Sequence, residues 1–156
     1  MNNETAAIVN NFYEAFKQKN AAIMVSNYHP DLRFQDPAFG ALSYQQTCAM
    51  WSMLCAQAAD LDIVFTILKV DNDEVQTKWI AEYTFSKTNR FIHNEIIATM
   101  TIKDGRIISH VDDFDLHKWA RQALGFKGLL LGGTSFFKTK LQQQTGRQLA
   151  RYMQKK

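Results

Sequence analysis

His110 and Asp112 lie two apart in the run SHVDDF, so on a β-strand both project from one face, about 6.5–7 Å apart at the backbone. An imidazole in that position can shuttle a proton near neutral pH, and the carboxylate can orient it or act itself. Asp36 stands before Pro37, whose ring forces the preceding backbone into an extended form. In apolar surroundings its carboxyl would be pushed up and could serve as a general base. The same residue order also reads as an Asp-Pro turn whose carboxylate bonds local amides. His110 and Asp112 equally read as a buried polar pair satisfied by Asn94 and water. Asn94 is placed either to hydrogen-bond a ligand carbonyl or to hold Asp112. If Asp36 approaches His110, opposed acid and base groups result, which suits dehydration, isomerisation, cyclisation or epoxide opening.

These residues need elements that bring residue 36 against residues 110–112. The segment from His93 to Asp115 reads as two strands joined at a three-residue loop, Lys103-Asp104-Gly105, with Gly105 in the left-handed position. One face then carries Asn94, Ile96, Ala98, Met100, Ile108, His110, Asp112 and Phe114, and the other His93, Glu95, Thr99, Thr101, Ser109 and Asp113. Three polar groups thus interrupt an apolar face, and burying each unpaired costs about 1–3 kcal/mol. A core avoids such groups, whereas a pocket uses them.

Upstream, Ile8, Val9, Phe12 and Phe16 give a helix over 4–19, and Asn20 caps a second over 21–28. His29-Pro30-Asp31 breaks it, and residues 32–36 form a short strand stopped by Pro37. Ser43 caps a helix over 44–58 whose apolar face is Tyr44, Thr47, Cys48, Trp51, Leu54 and Cys55. Strands follow over 61–70, 74–86, 93–103 and 106–114. A helix over 116–124 ends at Gly125, residues 126–133 form an apolar loop, and Thr134 caps a last helix reaching about Gln154. Helices, one strand, a helix and four antiparallel strands define an α+β class, with a strongly curved, mostly antiparallel sheet wrapped around helices to form a cone-shaped cavity. Tyr13, Trp51, Trp79, Tyr83, Asn94, Met100 and Phe114 are the candidate substrate-binding residues.

The 156 residues, 46% apolar and 12% aromatic, suffice for one domain with a substantial core. Residues 1–125 are expected to form the cone and 126–156 a basic amphipathic helical extension of it. No basic-then-apolar leader opens the chain and no apolar run approaches the ~20 residues of a bilayer span. Cys48 and Cys55, seven apart on a helix and so about 10 Å apart along its axis, are expected to be free thiols. A cytoplasmic location follows from these readings. No metal is expected, because His29, His93, His110 and His117 show no paired ligand spacing, and no cofactor fingerprint is present. Up to Asp115 there are fifteen acidic and nine basic residues, a net of −6; beyond it there are nine basic residues and no acid. Such a tail is expected to dock on the acidic body or on a dimer mate, or to lie on an anionic membrane surface through Leu129-Leu130-Leu131 and Phe136-Phe137. Nucleic acid is not expected, since no recognised module accompanies the basic residues.

Three segments, FYEAFKQKN, RFQDPAFG and DGRIISHVDDFDLHKWARQALG, resemble in order and spacing the nuclear transport factor 2-like superfamily, in its SnoaL-like and ketosteroid-isomerase-like branch. The resemblance covers about residues 5–125, and the tail is similar to an extension found in a subset of bacterial members. It implies the cone fold, the general-base aspartate of the isomerases at Asp36, and a homodimer through the outer sheet face bearing His93, Glu95 and Asp113. Two departures stand out. Phe12 occupies the position of the isomerases' oxyanion-donating tyrosine, with Tyr13 one residue on, and Ala98 occupies that of their protonated aspartate. The resemblance and the strand residues together point to a cofactor-free enzyme acting on a small apolar molecule, with Asp36 matched to the family's base and His110 and Asp112 as further acid–base groups that would replace the missing donors. The alternative is a non-catalytic ligand-binding or assembly module of the same fold.

Overall fold

A computed structural model describes residues 3–155 of the chain; Met1, Asn2 and Lys156 lie outside the described residues. The elements run α1 (Asn3–Lys17), α2 (Ala21–Ser26), β1 (Tyr28–Asp36), β2 (Gly40–Leu42), α3 (Tyr44–Gln57), β3 (Asp62–Asp71), β4 (Glu74–Phe85), β5 (Arg90–Lys103), β6 (Arg106–Asp113), α4 (Leu116–Leu124), α5 (Phe126–Leu131) and α6 (Ser135–Gln154). The six strands form one mixed sheet in the order β2-β1-β6-β5-β4-β3. All neighbours are antiparallel except β1 and β6, which run parallel with Phe34 beside His110. The α+β class and the curled sheet are those expected.

Local chemistry explains the boundaries. The Asn20 side chain accepts from the Ile23 amide at the start of α2. Ser43 and Gln46 form a reciprocal capping box on α3, which satisfies two otherwise orphaned helix amides. Thr134 caps α6 through the Phe137 amide. The core lies between the sheet's inner face and α1 and α3, and it contains Val9, Phe12, Tyr13, Phe16, Met50, Trp51, Trp79, Ile96, Ala98 and Met100.

Several expectations need correction. Segment 126–133 is not a loop throughout, because Phe126–Leu131 is helical. β1 begins at Tyr28, which the periodicity assigns to α2, and β2 forms directly after the Asp36 turn. The β5–β6 loop has two residues, Asp104 and Gly105, both at positive φ, the backbone that tight hairpins favour because it matches strand twist. A bulge follows, between Thr101 and Ile102 on β5. It inserts one residue into β6, so Ile107 rather than Ile108 is buried, and Asp112 pairs with Ala98. On α3, Met50 and Met53 are buried while Tyr44, Cys48, Leu54 and Cys55 are half-buried. The helix is covered from two sides, since α6 packs on it as well.

That docking is neutral. Leu149 is buried, the Tyr152 and Ser52 hydroxyls meet at 2.8 Å, and Gln142 and Thr145 donate to the carbonyls of Pro37 and Ala38 at 3.1 and 3.0 Å. The ion pairs among the described residues all lie at or before Asp112. The tail therefore packs on its own body, but through apolar and amide contacts rather than through charge. Among the described residues no helix is long and apolar enough to cross a membrane.

Candidate functional site

β6 and β1 position the polar groups. On β6 the alternation that buries Ile107 continues after the bulge to His110 and Asp112. On β1 Leu32 and Phe34 are buried, and Asp36 follows in the same phase. Because Phe34 lies beside His110, the next inward residue on each parallel strand is Asp36 and Asp112, a pair of neighbouring carboxyl groups.

Asp112 and His110 belong to a closed hydrogen-bonded chain. Trp51 donates its indole N–H to the Tyr28 hydroxyl at 2.8 Å. That hydroxyl lies 2.8 Å from His110 Nδ1, and His110 Nε2 lies 2.9 Å from Asp112 Oδ1. Trp79 donates to the same Asp112 oxygen at 3.3 Å. Both indoles can only donate, and a carboxylate oxygen can only accept, so the direction is set from the Asp112 end. The Asp112 oxygen, which accepts from Trp79, also accepts from the Nε2–H of His110, so Nδ1 is left to accept from the Tyr28 hydroxyl, which in turn accepts from Trp51. Phe12, Phe34 and Trp51 surround the imidazole, with ring centres 5.5, 5.0 and 6.2 Å away. Relative exposure is 0% for His110, 1% for Tyr28, 3% for Trp51, 4% for Asp112 and 7% for Trp79. In this arrangement the space between the inner sheet face and the helices α1 and α3 is occupied by these side chains. A surface hollow of about 390 Å³ opens elsewhere, between the start of α1 and the Asp104-Gly105 turn.

Asp36 differs from this chain. Its carboxyl ends β1 and accepts from the Phe39 amide at 2.6 Å. Burial pushes it up to about 7; the Phe39 amide works against that shift and the nearby charge of Asp112 adds to it. It is thus poised to exchange a proton near neutrality, and the turn carrying it lies beneath α6.

The remaining candidates disperse. Tyr13 is fully buried and stacks on Phe65 at 5.1 Å. Met100 pairs with His110 and fills the core. Tyr83 accepts from the Trp119 indole at 2.9 Å, toward α4. Phe114 packs at the core's margin. Asn94 pairs with Ala81 on β4, and no hydrogen bond joins it to Asp112 among the described residues. On the outer face, His93 bridges Glu82 and Glu95 at 2.7 and 3.2 Å, and hydrogen bonds to these carboxylates raise its pKa. No group of three or more metal-ligating side chains converges among the described residues.

Periodicity overlooked two members of the site. Tyr28 is buried at the start of β1, but an exposed Pro30 and a register irregularity before Arg33 interrupt the alternation between it and Leu32, so a period of two does not reveal it. Thr77 sits beside Ala98, which sits beside Asp112. Among the described residues, the hydroxyls of Thr77 and Tyr13 are the buried side-chain oxygens without a partner, and Asp112 raises the Tyr13 pKa, after burial. Both orphan hydroxyls thus border the Asp112 end of the chain.

The sequence profile of the SnoaL-like domain matches residues 9–110, and the protein belongs to that family. Comparison with curated proteins finds no match. Solved structures with the same fold include a protein with a ketosteroid isomerase-like fold from Catenulispora acidiphila in complex with trimethylamine, 15% identical, with TM-score 0.65 over 74% of this chain and 91% of that one. An LEH-like epoxide hydrolase from M. tuberculosis is 19% identical, with TM-score 0.61 over 83% and 91%. A putative polyketide cyclase from Silicibacter sp. is 12% identical, with TM-score 0.67 over 76% and 93%.

Proposed function

We propose that the protein is an acid–base enzyme of SnoaL-like type, acting without a cofactor on a small apolar molecule, with Asp36 as the group that exchanges a proton with substrate. The supporting observation is a carboxyl held at about 7 at the end of β1, since perturbed groups of this kind concentrate where proton transfer is needed. A carboxyl half-protonated near neutrality can deliver a proton to an epoxide oxygen or remove one beside a carbonyl. Relatives named for epoxide hydrolysis and polyketide cyclisation share this fold. In this reading Asp112 is a positioning residue whose charge helps raise Asp36, and His110 and Tyr28 hold Asp112 in place. Both His110 nitrogens are engaged by protein, so the ring acts through Asp112 rather than on substrate. The unpartnered Tyr13 and Thr77 hydroxyls are the polar groups a ligand oxygen would meet further inside.

A second reading, a non-catalytic ligand-binding or assembly module, is favoured by the occupied interior, in which Tyr13, Tyr28 and His110 are at most 1% exposed. Turnover of a panel of apolar epoxides and β-dicarbonyl compounds separates the two. Wild type is expected to convert at least one of them and Asp36→Asn none, with the variant still folded. Equal activity in the variant removes Asp36 from the mechanism. Val64, Phe91 and Val111, exposed by 51, 61 and 40% on the outer sheet face, fit a homodimer there, which light scattering tests.

A further inference from the structure

α5 buries its smallest residues and exposes its largest. A Cβ on Gly128 would stand 1.9 Å from the Ala120 carbonyl oxygen, and one on Gly132 would stand 2.5 Å from the Ala120 Cβ. The two glycines therefore let α5 press directly on α4, and His117 Nε2 fixes the contact by donating to the Leu129 carbonyl at 2.8 Å. What remains outward is bulky and apolar. Phe126 is 71% exposed, Leu129 44%, Leu130 62%, Leu131 50% and, at the start of α6, Phe136 65%. A helix on a globular domain normally turns its apolar side inward, and a contiguous apolar surface left outside marks an interaction site.

The surroundings specify the partner. Lys127, Lys138 and Lys140 flank the patch and are exposed, and Lys140 Nζ lies 5.6 Å from the centre of the Phe136 ring. None of the three joins an ion pair among the described residues, and no acidic residue follows Asp115. Within 126–137 the polar side chains other than Lys127 are Thr134 and Ser135, and Thr134 is already used to cap α6. A protein interface needs roughly one hydrogen bond per 100–200 Å², which this surface is poorly equipped to supply. A lipid surface needs only apolar side chains for the acyl boundary and cations for the headgroups.

We propose that α5 and the first turn of α6 seat the protein on an anionic lipid surface. Phe126, Leu130 and Phe136 enter the acyl boundary, and Lys127, Lys138 and Lys140 meet lipid phosphates. Lysine stems are long enough to keep the ammonium groups at headgroup level while the methylenes lie along apolar surface.

The test is co-sedimentation of the full chain with phosphatidylcholine vesicles, with and without about one-third phosphatidylglycerol. Wild type is expected to sediment with the anionic vesicles and only weakly with the neutral ones. Lys127→Gln and Lys138→Gln are each expected to weaken binding roughly fivefold, and Leu130→Glu to abolish it with an unchanged melting temperature. If Leu130→Glu also lowers the melting temperature, the lysine variants carry the test. Failure to bind anionic vesicles overturns the proposal, as does binding that ignores all three substitutions. A concentration-dependent dimer that Leu130→Glu dissociates, in a protein that leaves vesicles untouched, would instead make the patch an interface between copies.

Discussion

Thr145, in the middle of α6, donates its hydroxyl to the carbonyl of Ala38 at 3.0 Å, two residues beyond Asp36. Gln142, one turn earlier, holds the Pro37 carbonyl at 3.1 Å. The C-terminal helix therefore closes the turn whose burial raises Asp36. Replacing both by Val and Leu removes two hydrogen bonds worth about 1 kcal/mol each. The expected outcome is faster hydrogen exchange at the Phe39 amide and an Asp36 titration shifted downward, as water reaches the carboxyl.

Asp36→Asn has a stability consequence whose sign follows from linkage. Burial pushes the folded carboxyl up to about 7 from its ordinary value of 3.8, so the folded state holds the proton where the unfolded chain has released it. The contribution of Asp36 to stability is fully present below about 4 and is lost as pH rises to 7, amounting to roughly 2–4 kcal/mol. Asp36→Asn is expected to match wild type near pH 4 and to be more stable by about that amount near pH 8. Urea denaturation at the two pH values measures this. A variant that is less stable at both would mean that the carboxylate is paired in the folded state.

Two tyrosines in the same core are expected to behave oppositely. Tyr28→Phe orphans the Trp51 indole and His110 Nδ1, each buried, and should cost about 2–5 kcal/mol in chemical denaturation. Tyr13→Phe removes a hydroxyl that has no partner and should be neutral or slightly stabilising. Comparable losses in both would show that the Tyr13 hydroxyl is satisfied in solution.

A pair of glycines gives a similar contrast. Gly146→Ala meets open space inside α6 and should stabilise by roughly 0.5–1 kcal/mol through helix propensity. Gly128→Ala drives a methyl into the Ala120 carbonyl and should cost about 1–3 kcal/mol or more, with loss of exchange protection in α5. Thermal melting of both variants reads the two signs.

Much of this was legible in the residues, because periodicity reports burial. The two-residue spacing placed His110 and Asp112 on the inner face, and Asn20, Ser43 and Thr134 announced helix starts by their capping chemistry. Pairing between distant strands was not legible. Nothing local in YHPDLRFQD reveals that β1 lies parallel to β6, which is what brings Tyr28 to His110. The bulge was hidden because Ile107 and Ile108 are equally apolar, so the sequence does not say which of them turns inward. α5 escaped notice since its packing rests on Gly128 and Gly132, residues that locally signal a loop, while the close approach to Ala120 that requires them is tertiary.

Asp36 as the proton-exchanging group is tested most directly by a carbon-13 NMR titration of the aspartate carboxyls, with Asp36→Asn assigning the resonance. A midpoint near 7 is expected for Asp36. A midpoint near the ordinary aspartate value of about 4 would contradict it, and would leave the protein without a group poised for acid–base chemistry at the end of β1.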